Sequence, residues 1–292
     1  MPRRALVVFN RGAGRGRNAC SVEAIAREIR SWGWTLETID CQDERTTDAI
    51  ASAIAGGVDT VVSLGGDGTA NLCAGALIDT DVALGVVPCG TANDFARTLG
   101  IPLPIDRALA ALRDGERMRI DVGWVNGHHF LNVASLGMGA LIARGISPDR
   151  KRRWGRWAYA LEVLRRLRTP RLHPFTLCLD GGCERFEAYQ VAIANGCSFG
   201  GGFRIGAEAR LDEGLFDVLV IEPGWLRRAR KATASGLTLV GRLGSRTYRT
   251  RWLEITSTDR VTVNLDGEAH ELVSPLHFRV RPLALSVLVA RS

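Results

Sequence analysis

No stretch of the chain reaches the roughly 18 consecutive uncharged apolar residues that a membrane-crossing helix needs, so none is expected. A secretory leader is not indicated either. Met1-Pro2-Arg3-Arg4 is basic, but the apolar run Ala5-Leu6-Val7-Val8-Phe9 stops at Asn10 and reads as a first strand. The seven cysteines are odd in number and scattered, with no C-x-x-C pair. That argues for reduced thiols, a cytosolic setting and no cysteine-based zinc site. The five histidines show no H-E-x-x-H or similar spacing, and His128-His129 reads as a solvated turn. The loop Asn10-Arg11-Gly12-Ala13-Gly14-Arg15-Gly16-Arg17 matches neither G-x-x-x-x-G-K-[ST] nor G-x-G-x-x-G. Both the Walker and the dinucleotide fingerprints are thereby excluded.

What is present is enough for a full core: 292 residues, 46% of them hydrophobic, a length that predicts two domains. The net charge of +7 is local. Arg144 to His173 holds ten Lys/Arg against two acids, and Trp225 to Arg251 holds eight with none, so the remainder is acidic. A local basic surface suggests an anionic partner, a membrane or a nucleic acid. Trp154, Trp157, Ala158, Leu161, Leu164 and Leu167 recur at helical spacing amid arginines. Such a basic amphipathic helix suits an anionic membrane interface, and a core-packed helix with a solvated basic face reads the same way. No recognition motif accompanies the charge, so nucleic acid is not the expected partner.

The chain is organised around Leu64-Gly65-Gly66-Asp67-Gly68-Thr69-Ala70-Asn71. It follows the β-branched run 58–63, which is short enough for a buried strand, and it leads into a helical pattern that Thr69 or Asn71 is expected to cap. Glycines there let the backbone turn sharply and approach a ligand closely. Successive N–H groups at a strand–turn–helix junction form an anion cradle. Asp67 beside such a cradle makes sense with Mg²⁺ between acid and phosphate; an ordinary turn with a solvated Asp is the alternative. Val82–Pro88 ends in a second junction of the same kind, Cys89-Gly90-Thr91-Ala92-Asn93-Asp94-Phe95-Ala96-Arg97, which brings a second carboxylate. Strands at 5–9, 34–39, 58–63 and 82–88 alternate with helices near 22–29 and 47–54, the pattern of a parallel sheet covered on both faces. Ligands of such sheets sit outside the carboxyl ends of the strands. After Asp121 the pattern changes to short strands at 175–179, 189–194, 216–221, 252–256, 261–265 and 277–281, as in an antiparallel sandwich.

Gly-Gly-Asp-Gly-Thr also occurs in NAD kinases, with a close relative in phosphofructokinases. The continuation Gly90-Thr91-Ala92-Asn93-Asp94-Phe95-Ala96-Arg97 resembles the catalytic domain of diacylglycerol kinases and their bacterial lipid-kinase relatives, a group that includes sphingosine and ceramide kinases. Ile120-Asp121-Val122-Gly123, Phe130 to Gly137, Gly200-Gly201-Gly202-Phe203, Ala209 to Val218 and Leu265-Asp266-Gly267-Glu268 are similar to later family motifs in the same order. The resemblance implies an α/β plus β architecture. A phosphofructokinase-like nucleotide domain at 1–122 would precede a β-sandwich lipid-binding domain at 123–281, with the last strand, 282–292, returning to the first domain.

It further implies an ATP- and Mg²⁺-dependent lipid kinase, cytoplasmic and peripheral to the inner face of the cell membrane. Its partners would be a membrane lipid substrate and an anionic membrane surface; a homodimer is left open. Gly65, Gly66, Asp67, Gly68, Thr69, Asn71 and Thr91 would hold ATP phosphates, with Asn10 from the first loop. Cys41 stands at a nucleotide-contacting position that relatives fill with Thr. Asp67 and Asp94 would organise Mg²⁺, and Glu268 would be the general base on the lipid hydroxyl. His270, close by in sequence, reads as a surface histidine. A structural Mg²⁺ of the second domain would take Glu213, where relatives carry Asp, with the carbonyls of Arg210 and Leu215; Asp212 could substitute for Glu213. The acceptor, whether diacylglycerol, a sphingoid base, ceramide or another lipid, is not specified. The alternatives are a soluble-substrate kinase of the NAD kinase type and a nucleotide-responsive membrane-binding protein without turnover.

Overall fold

The computed structural model describes residues 3–11, 21–140, 171–196, 198–199, 203–204, 210–224 and 246–291. The expected basic helix around 151–168, Arg15, Arg17 and Gly200 to Gly202 lie outside them. The chain divides into unit 1, Met1–Ile120 with Leu283–Ser292, and unit 2, Asp121–Pro282.

In chain order unit 1 begins with β1 (Arg4–Phe9), α1 (Val22–Ser31), β2 (Thr35–Asp40), α2 (Thr46–Ala55) and β3 (Thr60–Gly65). It continues with α3 (Asp67–Leu77), β4 (Ala83–Pro88), α4 (Asp94–Thr98) and α5 (Ile105–Asp114). β5 (Glu116–Val125) carries the chain into unit 2. There follow β6 (His128–Phe130), β7 (Val133–Gly137), β8 (His173–Leu179), β9 (Gly182–Ala188), β10 (Gln190–Ala194), β11 (Ser198–Phe199) and β12 (Phe203–Arg204). Then come β13 (Phe216–Ile221), β14 (Arg246–Thr250), β15 (Trp252–Thr256), β16 (Arg260–Leu265), β17 (Glu268–Val273) and β18 (Leu276–Val289), whose last residues belong to unit 1.

Unit 1 is the expected parallel sheet. β1 pairs in parallel with β2 and β3, β3 with β4, and β4 with the end of β18 through Leu84 and Val287. Alternation along the strands sends Val7, Val62, Leu64 and Val87 to one face, where Ile25 and Ile29 of α1 and Leu109 and Leu112 of α5 meet them. α3 packs on β3 and β4, so both faces are covered. Burial on both sides explains why these strands read as apolar runs. α1 starts where Ser21 Oγ accepts the Ala24 N–H at 3.2 Å, with Glu23 in its first turn and Arg30 in its last, matching the helix dipole.

Unit 2 is an antiparallel sandwich. One layer runs β14-β13-β10-β7-β16-β17; the other is built from β9, β8, β15 and β18, with β5 and β6. Between them lies an aliphatic and aromatic core in which Phe130 stacks on Phe216 at 5.7 Å and meets Phe278 edge-on at 6.3 Å. At Gly123 an added Cβ would drive into the Phe130 ring, so only glycine lets β5 run beneath it.

One expectation is corrected here. The β8–β9 hairpin sets Cys178 directly opposite Cys183, and their sulfurs are bonded at 2.03 Å, so reduced thiols do not describe this pair. The spacing is not C-x-x-C; the hairpin register, not the sequence interval, brings the two together. Cys41 and Cys73 are free thiols, and burial pushes that of Cys73 up to about 12.

Candidate functional site

Four parallel strands of unit 1 end at the same edge, and the loops after them deliver the predicted nucleotide residues. Their backbones are stitched side by side. Asn10 N–H donates to Leu64 O at 3.2 Å, Cys41 N–H to Phe9 O at 2.7 Å, and Cys89 N–H to Gly65 O at 2.8 Å. The edge therefore carries Asn10, Cys41, Gly65 to Asn71 and Thr91 to Asp94 within one run of adjacent loops.

The glycines are needed for contact between the two motif loops. An added Cβ at Gly90 would stand 2.5 Å from the Cα of Gly66 and 2.8 Å from Asn93 Oδ1. Backbone is thus pressed on backbone, and no side chain fits at Gly90. The second loop is tied by Asn93, buried and left-handed at φ 51°. Its Oδ1 accepts the Gly90 N–H at 2.9 Å and its Nδ2 donates to Gly90 O at 3.0 Å. Asparagine tolerates that conformation better than most residues. Asp94 then opens α4, and Asp67 reaches across from the first loop, its Oδ1 accepting the Phe95 N–H at 2.9 Å.

α3 begins at Asp67, with Gly66 in the N-cap position and no side chain capping its first turn. The expectation that Thr69 or Asn71 caps it is corrected, because the helix starts earlier and both residues lie inside it. Thr69 is buried, and its hydroxyl faces the Cys41 sulfur at 4.0 Å; burial raises the thiol. An added Cβ at Gly65 would strike the Thr69 side chain, so these two residues pack as a unit. Asn71 and Asp94 are partly buried, while Gly68 and Thr91 are exposed at the edge. A helix start without a side-chain cap, with adjoining glycine backbone and two carboxylates, has the donors for phosphate and the acids for a bridging cation.

The donor set fits a nucleotide-borne Mg²⁺. Among the described residues no three His, Cys, Asp or Glu side chains gather as a metal cage. Mg²⁺ characteristically uses one or two carboxylates, several waters and substrate phosphates, and Asp67 and Asp94 supply that number. The second-domain metal set does not fit in the same way. Glu213 is ion-paired with Arg249, whose Nε also meets Asp217 Oδ1 at 3.1 Å, and the Arg210 guanidinium grips Asp212 at 3.0 Å. Leu215 lies just before β13.

In unit 2 Glu268 opens β17, exposed, immediately after a tight turn. Asp266 and Gly267 both have positive φ, 49° and 96°, the backbone of a two-residue hairpin turn that Asp-Gly favours. The Asp266 carboxylate accepts three N–H groups, from Leu131 at 2.6 Å and from Asn132 and Val133 at 2.9 Å each. It thereby anchors the turn that presents Glu268 to the β6–β7 connection. Sequence reasoning passed over Asp266 as a positioning group; the Asp-Gly dipeptide between two strands was the available signal. His270 is half-buried rather than solvated, its ring 5.0 Å from that of His128. Burial lowers its pKa first, and His128 adds to this against the pull of Glu268.

Comparison with known proteins agrees with this architecture. Residues 4–125 match the diacylglycerol kinase catalytic domain and residues 132–289 the YegS C-terminal NAD kinase beta sandwich-like domain. The chain belongs to the YegS-like branch of the diacylglycerol kinase family. It is 37% identical over 241 residues to "Probable lipid kinase YegS-like" of Pseudomonas aeruginosa, covering 82% of this chain and 79% of that protein. To a protein of the same description from Pseudomonas savastanoi it is 33% identical over 295 residues, covering 98% and 93%. A solved diacylglycerol kinase structure from Bacillus anthracis superposes with a TM-score of 0.75 at 20% identity, covering 98% of this chain and 97% of that one, which establishes the shared fold. Family membership makes the chain a kinase of the lipid-kinase type. Among the described residues no helix is long and apolar enough to cross a membrane.

Proposed function

We propose that the protein transfers the γ-phosphate of ATP to a hydroxyl of a membrane lipid while associated peripherally with an anionic membrane surface. The observation that carries this reading is the contact of Gly66 on Gly90, which holds two acid-bearing loops together at the uncapped start of α3. The backbone of Gly65 to Thr69 and Thr91 would hold the ATP phosphates, with Asn10 adding a contact from the first loop. Asp67 and Asp94 would hold Mg²⁺, which when bound would supply charge neutralisation for the transferring phosphoryl group. Asp67 also keeps α4 in place through Phe95, so Asp94 is oriented by its partner loop. Glu268 takes the proton of the lipid hydroxyl as the oxygen forms its bond to the γ-phosphorus and ADP leaves. Asp266 fixes the turn that carries this carboxylate.

The test is transfer of labelled γ-phosphate from ATP to diacylglycerol, phosphatidylglycerol, sphingosine and ceramide in mixed micelles, with NAD as a soluble acceptor and Asp94→Asn alongside. Label on one lipid class that is lost in the variant supports the proposal and names the acceptor. Label on NAD alone sinks it in favour of a soluble-substrate kinase, and ATP binding without any transfer sinks it in favour of a nucleotide-responsive binder.

A further inference from the structure

Several protein groups tie down the acidic loop before β13. Asp121, 1% exposed, accepts the Gly214 N–H on its Oδ2 at 2.6 Å and donates its own N–H to Leu211 O at 2.6 Å. The Arg210 fork binds both oxygens of Asp212, at 3.0 Å each. The register of β13 with β14 places Arg249 directly across from Asp217, and from there its guanidinium spans Asp217 and Glu213 at once. Glutamate at 213 is one methylene longer than the aspartate expected from the family pattern, which gives its carboxylate the reach to a cation on the neighbouring strand.

We propose that in this chain Arg249 takes the place of the structural Mg²⁺ that the family resemblance implies for the second domain. A guanidinium is planar, permanently charged and carries five donors, so it can bind two carboxylates in different directions from one fixed position. Mg²⁺ demands near-octahedral oxygens at about 2.0–2.1 Å and gives up its water reluctantly. A carboxylate already shared with Arg249 is a poor ligand for it, because the two cations would compete for Glu213 and repel each other. Glutamate at 213 and arginine at 249 thus act as a pair: the long acid and the internal cation replace a short acid and a metal. This inference concerns the scaffold and does not depend on the kinase reading.

The experiment is thermal melting of the full chain without nucleotide, in EDTA and in MgCl₂, for the wild type, Glu213→Gln and Arg249→Met. In EDTA both variants melt lower than wild type by roughly 2–4 °C, the shift for one partly exposed ion pair in a unit of this size. The change in Tm on adding Mg²⁺ is the same in wild type and Glu213→Gln, so any Mg²⁺ bound elsewhere cancels. A larger Mg²⁺ response in wild type than in Glu213→Gln overturns the proposal, as does an Arg249→Met protein that melts with wild type in EDTA. Should Arg249→Met fail to fold, the Glu213→Gln comparison carries the test.

Discussion

Asp266→Ala is expected to damage unit 2 well beyond the usual cost of a surface substitution. The carboxylate satisfies three backbone donors at 2.6, 2.9 and 2.9 Å, and the residues that carry them, Leu131, Asn132 and Val133, are 1%, 4% and 0% exposed. A buried donor left without a partner costs about 1–3 kcal/mol, and hydrogen bonds to a charged acceptor stand at the strong end. Asp266 itself is partly exposed, so water entering the truncated site restores part of this, leaving a loss of about 3–5 kcal/mol. At about 2–4 °C per kcal/mol for a unit of this size, the melting temperature falls by roughly 6–20 °C. Asp266→Asn is the internal control. Oδ1 serves Asn132 and Val133 and Oδ2 serves Leu131, so an amide keeps two acceptances and loses one, with a clearly smaller loss. The assay is calorimetric melting of the full chain. An alanine variant melting within about 3 °C of wild type, or alanine and asparagine variants melting alike, refutes the reasoning.

Three further outcomes follow from the geometry. Gly90→Ala forces a Cβ against Gly66 backbone and Asn93, which cannot swing away, so ATP affinity measured calorimetrically falls by about tenfold or more. Gly85→Ala is the contrasting case: its Cβ would press on the end of the buried Leu112 side chain, away from the motif loops, so ATP affinity is unchanged and the cost appears as a loss of Tm. Because burial and His128 depress the pKa of His270, the folded state favours its neutral form. Its contribution to stability is fully present above the ordinary histidine value of about 6.5 and is lost as pH falls through the depressed folded value. Melting in that window should therefore fall more steeply in wild type than in His270→Asn, and equal slopes would contradict the depressed value.

Much of unit 1 was legible because β3 and β4 are buried on both faces and end in glycine-rich turns, so pattern and turn chemistry agree at β3–α3 and β4–α4. Unit 2 was legible where a short apolar run is bounded by turn residues, as in Phe216 to Ile221. Of the strands missed by that pattern, β9, β14 and β17 are edges of their sheets, whereas β7 is central and buried on both faces, so it shows no alternation. Edge strands such as Arg246-Thr247-Tyr248-Arg249-Thr250 bury little and carry charge, which removes the apolar signal. The site residues were legible as types but not as relations. That Gly66 lies on Gly90, that Asp67 holds Phe95 and that Asp266 carries three N–H groups are long-range facts of packing. The Arg249–Glu213 pair depends on strand register, and so does the Cys178–Cys183 bond.

The most direct test of the central claim is the initial rate of phosphate transfer from saturating ATP to the lipid acceptor for Glu268→Gln, alongside its ATP dissociation constant. A general base contributes about 10²–10⁴-fold, and Glu268 belongs to no nucleotide loop of unit 1. The account predicts a kcat reduced by about two orders of magnitude or more with ATP affinity unchanged. A variant that turns over within a few-fold of wild type, or one whose loss lies in ATP binding, contradicts it.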